Sequence, residues 1–531
     1  MTKRKLSLTE NIVILLFFIL LFGSIFVFQG ITIDYDFLHY HLYNPFAFLT
    51  GRINTDLAPC GIHSFFNPVL DIPYYLMFKS LINSPPLTFL IAFCQGLYCG
   101  IFAFVVLHTN IFFFQKTPLR RDIFYAVLAT FIGISDCFII ATFNTTCNDI
   151  QTSILNLLAL LLLAKNLLIK NSPKRTFYII LSSFLIGLSF GFKINTYIYT
   201  LFFIILLFYK KLKKKKLFFQ TIILFLIFSI IGFLIADGYF IFIFLNKMHN
   251  TLFPNISDLT FVNLKPYFSH SIYENFNMNL SHIFYINPFT WSLNPYLVEH
   301  TYFFDFKHIL NCISFAWLCM WFTINKAKNC LKLNYRLKIL LLFIFISYVL
   351  WSGSFCFLRY FLPTLVLSGT IIVLGLYTFF HFLNIKNIYL KKIFMIFVIF
   401  LSFINYTPPS YEKTHEKIKI PKLNLAQNSF VIFISEPLSY LIIENPNAKY
   451  TYTYKELIDS PHYVKYLEKE IKDNENIYII GNKDFFGIIE DIEKTFNIES
   501  YDCKLTDSIT ENKETKDYHT KNIYICKAAK K

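Results

Sequence analysis

Apolar residues run through this chain in blocks of about 20, from residue 12 to about residue 407, and short basic clusters separate the blocks. A bilayer core needs about 20 apolar residues per helical crossing, so the pattern predicts a chain of transmembrane helices. Taking each basic cluster as one side of the membrane gives eleven spans, at about 12–30, 86–112, 122–141, 150–165, 177–192, 195–209, 217–244, 307–325, 338–353, 361–383 and 390–407. The fifth and sixth are short enough to form one broken hairpin, and losing both together would leave the sidedness of later spans unchanged. Beyond residue 410 the period changes. Alternating apolar runs at Phe430–Ile434, Ile477–Ile480 and Asn522–Cys526 are separated by helical stretches at Tyr463–Ile471 and Phe485–Phe496, which predicts a small α/β domain. The expected division is a membrane domain, 1–409, with long loops at 31–85 and 245–306, followed by a soluble domain, 410–531. The soluble part contains no phosphate loop, nucleophile elbow or metal box; a lid, an acceptor-docking module and a merely structural part all fit it.

Composition supports the membrane reading, because 55% apolar and 15% charged residues with a mean hydropathy of +0.50 leave a soluble 531-residue protein too little polar surface. The net charge of +16 is distributed unevenly. Before residue 410 there are 31 basic and 13 acidic residues, and from 410 onward 18 Lys face 20 acids. The basic residues cluster at Lys3–Lys5, Lys116–Arg121, Lys165–Arg175, Lys210–Lys216, Lys326–Lys338 and Lys386–Lys392, all between apolar blocks. The positive-inside rule expects cytoplasmic loops to look like this, so the charge reports topology and excludes nucleic acid as a partner. The first block, Ile12–Phe28, follows a basic start and lacks a small-x-small cleavage site, which reads as a retained signal anchor with a cytoplasmic N-terminus.

An odd number of spans places the tail outside, together with the loop 31–85, the segment around Asn148-Asp149, the loop 245–306 and the turn around Arg359. Most acids of the membrane part fall there, among them Asp34, Asp36, Asp56, Asp71, Asp149 and Asp305. Asp237 lies inside the seventh span, where an ionisable group is a functional hypothesis by default, although the outer end of a long helix also reaches interfacial water. The eleven cysteines show no zinc spacing; Cys503 and Cys526 share the tail, and an oxidising compartment would allow them to pair.

The loop after the first span is the richest in chemistry. It reads Asp34-Tyr35-Asp36-Phe37-Leu38-His39-Tyr40-His41-Leu42-Tyr43-Asn44-Pro45, followed by Gly51-Arg52, Asp56 and Asn67 to Tyr75. At α-helical spacing Asp36, His39, Tyr40, Tyr43 and Asn44 share one face, a combination of carboxylate, aromatic rings and amide that suits a sugar. A carboxylate there can take the proton of an attacking hydroxyl. Two other readings fit the same residues: His39 and His41 with Asp36 as metal ligands, and an interfacial helix whose Tyr and His form a headgroup belt.

Asp36 to Pro45, Gly51-Arg52, Asn67 to Tyr75, Asn148-Asp149, Gly187 to Lys193, Thr251 to Pro254 and Arg359-Tyr360 occur in an order that resembles the GT-C superfamily. More narrowly, it resembles bacterial glycosyltransferase 87-like membrane proteins. The resemblance covers most of residues 1–410. It implies an enzyme that moves a sugar from a polyprenyl-phosphate donor to a glycan or lipid acceptor on the extracytoplasmic face, with inversion and without a nucleotide-binding domain. Asp36 matches the catalytic-loop carboxylate and Asp149 the second acidic position, while Asp34 competes with Asp36. His39 stands where a smaller polar residue is expected, and Asp237-Gly238-Tyr239 where related chains often carry Trp. The implied roles are Asp36 as general base, Asp149 as an orienting acid, and Arg52, Lys193 and Arg359 as ligands of the donor phosphate. His39, Tyr40, His41, Tyr43, Asn44 and Asn148 would hold the acceptor or sugar. No cofactor is demanded, and a divalent cation is the one group the acids leave room for. Usage rich in Lys, Ile, Asn and Phe suggests a bacterium, hence an inner membrane facing a periplasm. A glycolipid transporter or a non-catalytic membrane assembly factor has the same outline and differs in forming no glycosidic bond. An O-antigen polymerase fits less well, because its large loops come later in the chain.

Overall fold

The computed structural model describes residues 6–530 except 33, 82–85, 116–122, 144, 169–172, 210–214, 250–286, 299–301, 325–334, 355, 386, 405, 409–412, 415–419, 436, 454–460, 483–485 and 506–522. The Thr251–Pro254 landmark, most of the loop 245–306, and the basic clusters at Lys3–Lys5 and Lys116–Arg121 lie outside the described residues.

The chain is a multi-pass membrane protein built from helices. Each of the eleven apolar blocks lies in helix: α1 (Leu8–Gln29), α4 (Pro86–Phe114), α5 (Ile123–Ile134) with α6 (Cys137–Thr142), α7 (Asp149–Leu168), α8 (Pro173–Phe192), α9 (Tyr197–Tyr209), α10 (Lys215–His249), and later helices at Phe306–Ile324, Tyr335–Ser352, Leu362–Leu365 with Ser368–Phe382, and Ile388–Leu401. Two short helices, α2 (Tyr43–Leu49) and α3 (Ile72–Leu81), belong to the first loop. The count of eleven crossings is not reached by length and composition. Six of the described helices qualify alone, and a seventh if the pair Leu358–Leu365 and Ser368–Phe382, bent by 47°, is taken as one. The reason is local. A helix of 13 residues such as α9 is only about 20 Å long, against a core of about 30 Å, and α5 stops at Asp136, whose carboxylate caps the next helix through Phe138 N–H.

Burial orders the helices. α7 is the central one, with 72% of its apolar window buried, whereas α1 and α10 face outward at 11% and 17%. α7 packs on α8, α8 on α10, and α1 on α4. The last contact depends on small residues: a Cβ at Gly96 would lie 2.5 Å from the backbone of Gly23, so the two helices touch main chain to main chain. Asp237 in α10 meets the first loop, where the Asn67 amide donates to Ala236 O at 2.6 Å and reaches Asp237 Oδ1 at 3.3 Å.

The tail forms a five-stranded sheet in the order β4-β3-β5-β7-β6, with β3 (Phe430–Phe433), β4 (Lys449–Tyr452), β5 (Ile477–Asn482), β6 (Ile498–Leu505) and β7 (Ile523–Lys530). β3 runs parallel to β4 and β5, and β7 antiparallel to β5 and β6. Helices Pro461–Asp473 and Phe486–Phe496 pack their apolar faces on it, through Leu467, Ile471, Ile489 and Ile492, as the alternation of periods predicts. A disulfide joins Cys503 to Cys526 across β6 and β7.

The first loop and the tail are fastened together. β1 (Ile31–Thr32) pairs antiparallel with β2 (Lys413–Thr414), and Leu57 adds a parallel bridge to Thr451 beside the β4 edge. Ser439 Oγ donates to the carbonyl of His39.

Candidate active site

The site begins with a turn of unusual pitch. Phe37–His41 is π-helical, and Leu42 N–H donates to Phe37 O, five residues back. Turns of this kind are rare and recur at functional sites. The wider pitch changes which side chains meet. Asp36 now shares its side with His41 rather than with His39: a carboxylate oxygen of Asp36, a ring nitrogen of His41 and Cys147 Sγ lie within 4.8 Å of one another.

Four charged groups from distant parts of the chain converge here. Arg359, on the turn before Leu362, places Nη1 2.7 Å from Asp36 Oδ2 and Nη2 3.2 Å from the hydroxyl of Tyr360. Lys193, just past α8, places Nζ 2.6 Å from Asp149 Oδ1 and donates to Cys147 O at 2.6 Å. Both cations lie against the Tyr360 ring, at 5.2 Å and 5.3 Å from its centroid. The two pairs are therefore neighbours and each is balanced. Asp36 and Arg359 keep 16% and 28% of their side chains exposed, so a ligand can reach them.

Electrostatics separates the acids. Burial alone would raise Asp36, but the Arg359 guanidinium, helped by His41 and His63, outweighs it and holds the carboxyl well below the usual range. Asp34, which accepts Phe37 N–H at 2.8 Å, is raised by burial and by the charge of Asp36 to about 6. Burial lowers His63 to about 4 and pushes His39 down as well. His41 differs: burial opposes its charge, yet Asp71, then Asp36 and Asp34, lift it above the ordinary imidazole value.

Asp71 is the hinge of a small network. Its Oδ2 lies 2.9 Å from His41 Nδ1, and its Oδ1 accepts Asn148 Nδ2 at 2.6 Å. Asn148 adopts a left-handed backbone, φ 59°, which Asn tolerates, and this turns its amide to Asp71 while Asp149 opens α7.

The remaining expected site residues are placed elsewhere. Arg52 does not join the other cations. Its guanidinium pairs with Asp56 in bidentate fashion, at 2.6 and 2.8 Å, and donates to the carbonyls of Pro446 and Ala448 in the tail. The preceding Gly51, at φ 76°, supplies the left-handed turn that aims it. Tyr43 donates to Asp56 at 3.0 Å, and Asn44 donates to the carbonyls of His63 and Phe66 at 2.7 and 3.2 Å, so both brace the loop. His39 is turned inward beside Tyr35 and His63, with ring centroids 5.0 and 5.1 Å away, while Tyr40 stacks on His63 at 5.1 Å. Cys147, His63, Asp71 and Tyr360 are the residues that sequence reasoning did not single out for the site. Asp71, inside the Asn67–Tyr75 landmark, Tyr360, inside Arg359-Tyr360, and Cys147, next to Asn148-Asp149, carried a signal; His63 carried none.

Among the described residues, two groups of side chains have spacing suited to a cation, and each already has a side-chain cation beside it. At Asp36, His41 and Cys147 it is the Arg359 guanidinium, 2.7 Å from the carboxylate and 3.9 Å from the thiol. At Asp136, Cys137, Asp305 and His308 it is Lys307, whose Nζ lies 2.9 Å from Asp305. This second group braces the first from behind. His308 Nε2 lies 2.7 Å from Asp136 and its Nδ1 accepts Trp291 Nε1–H at 3.2 Å; Trp291 packs edge-on against Trp351, which donates to Phe357 O at 2.8 Å, two residues before Arg359.

The helical membrane body, the loop after its first helix and the small sheet at its end together make up the GT-C fold. Solved structures show the likeness: ArnT from Cupriavidus metallidurans, bound to undecaprenyl phosphate and in the apo state, superposes with a TM-score of 0.52, 9% identity and 98% of both chains covered in each case. The Archaeoglobus fulgidus oligosaccharyltransferase tethered with an acceptor peptide gives a TM-score of 0.47 at 12% identity, over 90% of this chain and 70% of that one. No protein-family model and no curated protein sequence matches the chain.

Proposed function

We propose that the chain is a glycosyltransferase of the bacterial inner membrane that moves a sugar from a polyprenyl-phosphate donor to a glycan or lipid acceptor on the extracytoplasmic face. In this reading residues 1–409 form the catalytic membrane domain and 410–531 a periplasmic domain, with the N-terminus cytoplasmic. The observation that carries it is the pair of neighbouring ion pairs, Asp36 with Arg359 and Asp149 with Lys193, reachable by a ligand beside the membrane body. A GT-C fold also occurs in a structure that holds undecaprenyl phosphate.

A lipid-phosphate sugar brings its own leaving group. The enzyme has to align an acceptor hydroxyl with the anomeric carbon, take its proton and neutralise the departing phosphate. Arg359 and Lys193 serve the phosphate, and stabilisation of this kind is worth about 3–4 kcal/mol to a transition state. Asp36 is the essential anion that holds Arg359, and Asp149 holds Lys193. A single in-line displacement inverts the anomer. A divalent cation is not required for these roles, since the phosphate has two side-chain cations to meet.

The test is sugar transfer from a panel of undecaprenyl-phosphate monosaccharides to membrane-extracted acceptors, comparing wild type with Asp36→Asn at equal folding. Product from wild type alone, with inverted configuration, is expected. A retained anomer would contradict the single displacement, and absence of product across all donors would favour the transporter.

A further inference from the structure

We infer that His41, oriented by Asp71, is the group that takes the proton from the acceptor hydroxyl, while Asp36 stays ionised as the partner of Arg359. The inference rests on the glycosyltransferase reading above and concerns the same site.

The geometry is that of an acid–imidazole dyad. His41 is 3% exposed and Asp71 4%, and Nδ1 lies 2.9 Å from Asp71 Oδ2, an ion-pair distance at which the carboxylate favours a proton on Nδ1. Asn148 occupies the other oxygen of Asp71 at 2.6 Å, so the carboxylate cannot swing away. Both ring nitrogens are buried and neither makes an aligned hydrogen bond among the described residues, so with Nδ1 facing Asp71 it is Nε2 that remains to accept a proton. The imidazole lies with Asp36 and Cys147 within 4.8 Å, on the side where Arg359 would meet the donor phosphate. The π-helical turn produces this placement, because an α-helical turn would rotate His41 away from Asp36.

Asp36 is poorly suited to the same task. Its Oδ2 is already engaged by Arg359 at 2.7 Å and by the Cys147 thiol at 3.7 Å. A carboxylate stabilised in this way is a weak base, and general-base efficiency rises as the pKa approaches the working pH. The groups facing His41 are Asp34 and Asp36 from its own turn, Asp71 at the start of α3, His63, Cys147 and Arg359. Three acids act in favour of its protonated form, so the imidazolium created in the reaction is stabilised where it forms.

The step balances as follows. The acceptor O–H proton passes to His41 Nε2, and the oxygen's electron pair forms the bond to the anomeric carbon. The bond from that carbon to the phosphate oxygen breaks, and its electron pair leaves with the polyprenyl phosphate toward Arg359 and Lys193. His41 then returns its proton to solvent.

Three proteins decide the matter: wild type, His41→Gln and Asp71→Asn. Each is measured for turnover with the active donor, for undecaprenyl-phosphate binding by thermal shift, and for the pH dependence of kcat. His41→Gln is expected to bind the lipid phosphate within about twofold of wild type and to lose turnover by roughly 10²–10⁴-fold, the usual range for a general base. Asp71→Asn is expected to keep some turnover and to move the acid limb of the kcat profile to lower pH, because removing that charge makes His41 easier to deprotonate. Turnover of His41→Gln within tenfold of wild type, or an acid limb unmoved in Asp71→Asn, overturns the inference and leaves the glycosyltransferase reading intact. Absence of product from wild type overturns both.

Discussion

Replacing Arg52 by Ala tests whether this residue holds the tail or the donor. The guanidinium is 12% exposed and its partner Asp56 is fully buried. The substitution removes both bonds to Asp56 and both bonds to the tail carbonyls of Pro446 and Ala448, while Asp56 keeps Tyr43 at 3.0 Å and Tyr450 N–H at 3.1 Å. Breaking a buried pair from one side typically costs about 3–5 kcal/mol, since the remaining charge is left without its partner. At 1.4 kcal/mol per factor of ten, that moves the docking of tail on loop by roughly 10²–10⁴-fold toward the undocked form. Protease sensitivity of the tail in detergent micelles, followed against time, reads this equilibrium, and a dye-based melting curve reads the overall loss. Arg52→Lys keeps the charge but cannot make the two-pronged contact, so it should fall between Ala and wild type. A variant that keeps wild-type protection and melting but raises the donor KM would refute the reasoning and return Arg52 to the phosphate.

Three further outcomes follow from the site. Arg359→Lys should lower kcat by roughly 10²-fold or more, because a point charge replaces a planar fork at Asp36, while addition of a chelator to wild type should leave the rate within about twofold. Asp34 is raised to about 6 from its ordinary value of 3.8, so the folded protein holds a proton that the unfolded chain releases between those values, and stability falls as pH rises through that window. Asp34→Asn should therefore raise the melting temperature at pH 7.5, by at most about 3 kcal/mol of stability, and change it little at pH 3.5; an equal gain at both pH values would show that the charge of Asp34 is not the cause.

The hydrophobic period alone was enough to separate a helical membrane body from a mixed tail. Lipid and water impose different periods on the chain, and Phe430–Phe433 and Ile477–Ile480 stay apolar at successive positions because both sheet faces are buried, one under the tail helices and the other in the core shared with the membrane body. The composition also located the loop after α1, since few other stretches concentrate acids, His and Tyr. The number of crossings was less legible, because the break between α5 and α6 falls inside one apolar block, at Asp136, whose carboxylate caps α6 and also meets His308, 172 residues away.

Which side chains meet in the site was decided by the tertiary structure. A face drawn at α-helical spacing groups Asp36 with His39 and Tyr40, and a single π-helical turn regroups it with His41. Arg52, Lys193 and Arg359 look alike as isolated cations. They separate only because Asp56, Asp149 and Asp36 take one each, across 4, 44 and 323 residues of sequence. Sequence determines local period and charge, which act over a few residues; the pairing of buried charges depends on distance in space, and that is set only once the helices and the tail have packed.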